Sequence, residues 1–86
     1  MFPSGYTLNM LNTSVKDTLV AHLGIEIIEI GIDFLLAKMP VDHRTKQPMG
    51  LLHGGASVAL SETLGSLAAS LLVDKSVEFP VGIEIN

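Results

Sequence analysis

The stretch Gln47-Pro48-Met49-Gly50-Leu51-Leu52-His53-Gly54-Gly55 runs directly into Ala56 to Val73, a long apolar pattern that holds one acid, Glu62. A polar turn leads to paired glycines, and the pattern after them is helical. Glycine has no Cβ, so Gly54 and Gly55 let a ligand approach the backbone closely. The first turn of a helix also offers unpaired N–H groups and the positive end of the dipole. Together these make a corner suited to an oxygen that gains negative charge during a reaction. Glu62 lies about two turns further on, roughly 10–12 Å along the axis. That separation is long for one chain to bring both groups to one substrate, so a second subunit is expected to supply one of them.

On a helical projection Ala56, Leu60, Leu64, Leu67 and Leu71 share one face, the side to bury against a sheet. The opposite side carries Val58, Glu62, Ser66 and Ala69. Upstream, Ile25 to Ile30 is rich in isoleucine, and its β-branched content favours a strand. Gly31-Ile32-Asp33 reads as a turn and Phe34 to Met39 as a second strand, giving an antiparallel hairpin ended by Pro40. Val41 to Gly50 is a polar loop, and a long loop without structure of its own is more often functional than a mere connector. Two short helices are expected before the hairpin. One spans Thr7 to Asn12 with Thr7 as cap. The other spans Ser14 to Ala21 with Ser14 as cap and Asp17 at the third position. Gly24 is the stop after the second. Val77 to Asn86 reads as a third strand, with Val81, Ile83 and Ile85 alternating.

The 86 residues suffice for one small domain, and a chain this short buries a modest core. Yet 48% of it is hydrophobic, and its mean hydropathy is +0.49. Association with other chains, or an incomplete domain, would account for that excess. A net charge of −4 argues against nucleic acid as a partner. With no cysteine there is neither a disulfide framework nor a Cys metal site. The N-terminal residues show no basic region followed by a long apolar run, the pattern of a signal peptide. Ala56 to Val73 is near the lower length limit for a membrane span, but it carries Glu62, four serines and Thr63, so no span is expected.

The run from Gln47 through His53-Gly54-Gly55, followed by Ala59-Leu60-Ser61-Glu62-Thr63-Leu64-Gly65-Ser66, resembles the signature of hotdog-fold acyl-CoA thioesterases. Val20-Ala21-His22-Leu23-Gly24-Ile25 and Met39-Pro40-Val41-Asp42-His43-Arg44-Thr45 resemble the same family, and the whole is similar to its 1,4-dihydroxy-2-naphthoyl-CoA (menaquinone pathway) subgroup. The resemblance implies an α+β hotdog fold, an antiparallel sheet wrapped around a long central helix at about 53–73. Residues 1–86 would be the N-terminal portion of a single such domain, incomplete on its C-terminal side.

What the resemblance implies chemically is hydrolysis of an aryl-type acyl-CoA to free acid and CoA. Glu62 would act on the thioester carbonyl as nucleophile or as base for water. Gly54 N–H would be the oxyanion donor, and His53 and Gln47 would orient the thioester. Ser66 and Gly55 would contact substrate, with Met49 and Leu51 as apolar lining. No cofactor is implied beyond the CoA carried by the substrate. A cytoplasmic homodimer or homotetramer is expected, with sites between subunits: Glu62 and Ser66 facing Gln47, His53 and Gly54 of the partner. The plain readings stand beside these. Glu62 could be the solvated side of an amphipathic helix, Gly54-Gly55 a simple helix start, His53 a cap, Gln47 a loop residue, and Met49 and Leu51 core. His43, His53 and Glu62 match no common zinc spacing, so no metal is expected. The rival to an enzyme is an inactive truncated fragment that only self-associates.

Overall fold

The computed structural model describes residue 2 and residues 5–72. Their order is helix α1 (Leu8–Ser14), helix α2 (Leu19–His22), strand β1 (Glu26–Ile30), strand β2 (Leu35–Lys38) and helix α3 (Gly54–Leu72). The expected third strand, Val77 to Asn86, lies outside the described residues.

Thr7 caps α1 as its sequence predicts, with its side-chain oxygen accepting from Met10 N–H at 3.1 Å. The helix then runs past Asn12 to Ser14. The expected helix from Ser14 to Ala21 is corrected. Ser14 closes α1, and its hydroxyl donates back to the Leu11 carbonyl at 2.7 Å instead of capping forward. Asp17 sits at φ 61°, a left-handed conformation that no helix interior accepts. Only one turn remains as α2, and Thr18 precedes it without a side-chain cap bond. Gly24 ends that turn at φ 78°. A Cβ on Gly24 would come within 2.9 Å of both Pro40 and the Arg44 guanidinium, so conformation and space both require glycine there.

The hairpin forms with Glu26 opposite Lys38, Ile27 opposite Ala37, Glu29 opposite Leu36 and Ile30 opposite Leu35. The register slips between Ile27 and Glu29, leaving Ile28 as the extra residue. A bulge explains why the alternation across Ile25 to Ile30 is imperfect: one inserted residue resets the inside–outside order. Ile27 is buried to 2% exposure and forms the core with Leu11 and Leu71. Leu64 and Leu67 of α3 pack against that core, as do Phe2 and Tyr6. The N-terminal lead-in is therefore part of the packing, and Phe2 N–H also donates to the Ile32 carbonyl at 3.0 Å. By length and composition α3 could cross a membrane, but Leu64, Leu67 and Leu71 turn toward the hairpin.

One contact joins α1 to the outer edge of the sheet. The Asn12 side chain donates to the Ile27 carbonyl and accepts from the Ile27 N–H, each at 2.9 Å.

Candidate active site

The segment between β2 and α3 has structure of its own, in contrast to the open loop expected from its polarity. Asp42 Oδ1 accepts from Arg44 N–H at 2.9 Å, folding the chain into an Asx-type turn. The Arg44 guanidinium then returns to the same carboxylate at 2.7 Å. Those hydrogen bonds hold the Asp42 carboxyl down at about 2. Thr45, 2% exposed, donates its hydroxyl to the Pro40 carbonyl at 2.6 Å and accepts from Asp42 N–H at 3.1 Å.

Lys46 and Leu52 form an antiparallel bridge. Between them Gln47 N–H donates to Leu51 O at 2.7 Å, and Gly50 N–H to Gln47 O at 2.9 Å, with Gly50 at φ 85°. The Gln47 side-chain oxygen accepts from Met49 N–H, so that end of its amide is held inside the turn. Met49 is 83% exposed and Leu51 is also exposed; both sit on the outside of this turn.

His53 N–H donates to the Thr45 carbonyl at 2.8 Å, which fixes where α3 begins. The His53 carbonyl accepts from Ala56 N–H at 3.0 Å and Ser57 N–H at 3.2 Å. Its ring Nδ1 accepts from Gly55 N–H at 2.7 Å, which puts the ring proton on Nε2. His53 is therefore the N-cap of α3, and Gly55 N–H is taken. Gly54 N–H makes no hydrogen bond among the described residues, and apart from its chain neighbours and the backbone of its own helix no described atom stands within 4 Å of where a Gly54 Cβ would be. Of this pair of donors, Gly54 N–H is the one without a partner among the described residues, at the positive end of a 19-residue helix.

Glu62 is half-buried. It lines a cavity of about 270 Å³ with Val15, Val20, Thr63, Ser66, Leu67 and Ser70. It also borders a second of about 230 Å³, where Leu19, Leu23, Ile25 and Ala59 are among the walls. His53 and Gly55 instead line a third cavity, about 270 Å³, with Arg44, Lys46, Ala56 and Ala59. The chain thus brings Glu62 to Ser66, and His53 to Gly54 and Gly55, but no described cavity contains both groups. Val15, Val20 and Ser70 were not among the candidates from sequence. Ser70 had a signal, its spacing of eight from Glu62, whereas Val15, the C-cap of α1, and Val20, in α2, line the cavity only through tertiary packing. No cluster of three or more His, Asp or Glu able to hold a metal occurs among the described residues.

A thioesterase from Haemophilus influenzae has a closely similar structure. The TM-score is 0.82 at 54% sequence identity, over 86% of this chain and 52% of that one. The described fold is that of a hotdog domain. A glutamine-to-alanine mutant of a thioesterase from Pseudomonas aeruginosa matches equally well, with TM-score 0.83 and 48% identity over 87% of this chain and 54% of that one. In sequence the chain is 54% identical, over 81 residues, to a Haemophilus influenzae protein that carries a provisional esterase name. That match takes in 94% of this chain and 58% of the relative. The chain spans a little over half the length of each of these proteins. No protein-family model matches it.

Proposed function

We propose that the chain carries the catalytic half-sites of an acyl-CoA thioesterase that acts on an aryl-type acyl group, similar to 1,4-dihydroxy-2-naphthoyl, in the cytoplasmic synthesis of menaquinone. The observation that carries this reading is the placement of Glu62: a carboxylate, half-buried, in a cavity the size of an acyl group, on the same helix whose N-terminus presents a Gly54 N–H with no partner among the described residues. The similarity to two thioesterases supports the same chemistry.

Two copies complete the site. Glu62 and Ser66 of one copy face Gln47, His53 and Gly54 of the other in a homodimer or homotetramer. The Glu62 carboxylate attacks the thioester carbonyl, or takes a proton from the water that does. Either route puts negative charge on the carbonyl oxygen, and Gly54 N–H at the helix terminus stabilises it. The C–S bond then breaks and CoA leaves as thiolate, which is protonated; when water was the attacking group the free acid is released directly, and when Glu62 was, water hydrolyses the mixed anhydride left on it, releasing the acid and restoring the carboxylate. His53 holds the helix start in place through Gly55, so the donor is positioned before substrate arrives.

The test is release of CoA thiol from 1,4-dihydroxy-2-naphthoyl-CoA and benzoyl-CoA, followed with a thiol reagent, for this chain and its Glu62→Ala variant. Turnover that falls at least a hundredfold in the variant is the expected result. Equal turnover in both would remove Glu62 from the mechanism.

A further inference from the structure

Glu62, Ser66 and Ser70 follow one another at four-residue steps on α3 and line one cavity. Val15 and Val20, from the segment containing α2, are its apolar walls on the other side. The Thr63 hydroxyl is already satisfied, donating to the Ala59 carbonyl at 2.7 Å. The Ser66 and Ser70 hydroxyls make no hydrogen bond among the described residues, although both residues are half-buried. Hydroxyls left this way in a partly apolar cavity gain from a polar atom brought in by a ligand.

The cavity's size limits what that ligand is. At about 270 Å³ it lies below the range of whole drug-sized sites, so it accommodates an acyl group but not CoA. A cavity of about 150 Å³ holds a benzene ring, which leaves room here for one or two rings. Along the helix axis Ser66 stands about 6 Å and Ser70 about 12 Å from Glu62. Ser66 is thus level with the part of the acyl group next to the carbonyl, and Ser70 with its far end.

We propose that Ser70 is a specificity-determining residue. The acyl group lies along α3 from Glu62 toward Ser70, against Val15 and Val20, and the Ser70 hydroxyl hydrogen-bonds a polar substituent on its distal ring. The assignment rests on the thioesterase reading of Glu62. The substrate class it selects is a fused or extended aromatic acyl group with a hydroxyl remote from the thioester.

The experiment compares kcat/KM for 6-hydroxy-2-naphthoyl-CoA and 2-naphthoyl-CoA in the unmutated chain and in Ser70→Ala. Binding of free 6-hydroxy-2-naphthoate is followed in parallel by NMR of the Val15 and Val20 methyl groups of the unmutated chain. The expected result is a preference for the hydroxylated ester that falls about five- to tenfold in Ser70→Ala, with perturbed valine methyls. Turnover with an unchanged preference and unmoved methyls overturns the placement while leaving the thioesterase standing. Perturbed methyls without any hydrolysis overturn the thioesterase reading and leave the pocket. Neither hydrolysis nor methyl shifts overturns both.

Discussion

The imidazole of His53 accepts the Gly55 N–H at 2.7 Å, so a residue expected to touch substrate is also the cap of the helix that carries Glu62. The two roles are separable. His53→Ala should lower stability by about 1 kcal/mol, the usual cost of a lost N-cap. His53→Asn should keep most of that stability, because asparagine caps well. A thermal melt of both variants beside a CoA-release assay tells the roles apart. If His53→Asn is stable and fully active, the imidazole has no part in the chemistry.

The proposed sharing of one site by two copies makes a complementation test. Glu62→Ala and His53→Ala should each be inactive alone. Once unfolded and refolded together, they should regain roughly a quarter of the original activity, since a mixed dimer holds one intact site of two. No recovery from mixed, correctly assembled protein would put Glu62 and His53 of the same chain in the same site.

Gly24 joins α2 to β1 at a positive φ and lies under Pro40 and Arg44. Gly24→Ala should cost about 1–3 kcal/mol, combining left-handed strain with the clash. Chemical denaturation would show a lowered midpoint with an unchanged slope. A neutral result would mean that the segment after β2 shifts freely.

The Arg44 hydrogen bonds depress the Asp42 carboxyl from 3.8 to about 2. A depressed carboxyl adds stability above its unfolded value and loses it as pH falls through the folded one. The contribution should therefore be complete above about pH 4 and fade toward pH 2. The pair is partly exposed, so the effect is modest and weakens with salt. The difference in Tm between the unmutated chain and Asp42→Asn should shrink steadily across that interval. A constant difference would mean that Asp42 acts through its turn geometry and not through its charge.

Asn12 tests how α1 is fastened. Asn12→Asp keeps the shape and the acceptor but removes the donor to the Ile27 carbonyl, setting oxygen against oxygen. It should destabilise by about 1–3 kcal/mol, at least as much as Asn12→Ala. Amide exchange at Ile27 should quicken in both. If Asn12→Asp is as stable as the original, the two bonds at 2.9 Å contribute nothing net.

What the sequence made legible was local and periodic. The leucine face of α3, the hairpin with its turn at Gly31, the Thr7 cap and the Gly24 stop all follow from spacing or from one residue's backbone preference. The capping pattern Ser14-x-x-Asp17 misled for the same reason: it is a local signal, and the tie of Asn12 to Ile27, fifteen residues away, helps hold α1 against the sheet where Ser14 ends it. The order in the segment from Asp42 to Leu52 was hidden because polar side chains that bond their own turn look, in sequence, like those that wait for a ligand. For the site, Glu62, Ser66 and the His53–Gly55 corner were visible as a motif. The valines opposite Glu62 were not, since nothing in the run from Val15 to Val20 announces which surface it will meet.

The hairpin also has a direction of growth. Ile27 turns both its backbone N–H and its carbonyl away from β2, and the Asn12 amide occupies both. A strand arriving at that margin would find the pairing groups already matched and α1 in its path. Among the described residues the far side of β2 carries no such plug. One short side chain thereby turns a symmetrical ribbon into a one-sided template. Intramolecular extension is steered to one flank, and the other is shielded from the edge-to-edge sticking that leads small, apolar chains into aggregates.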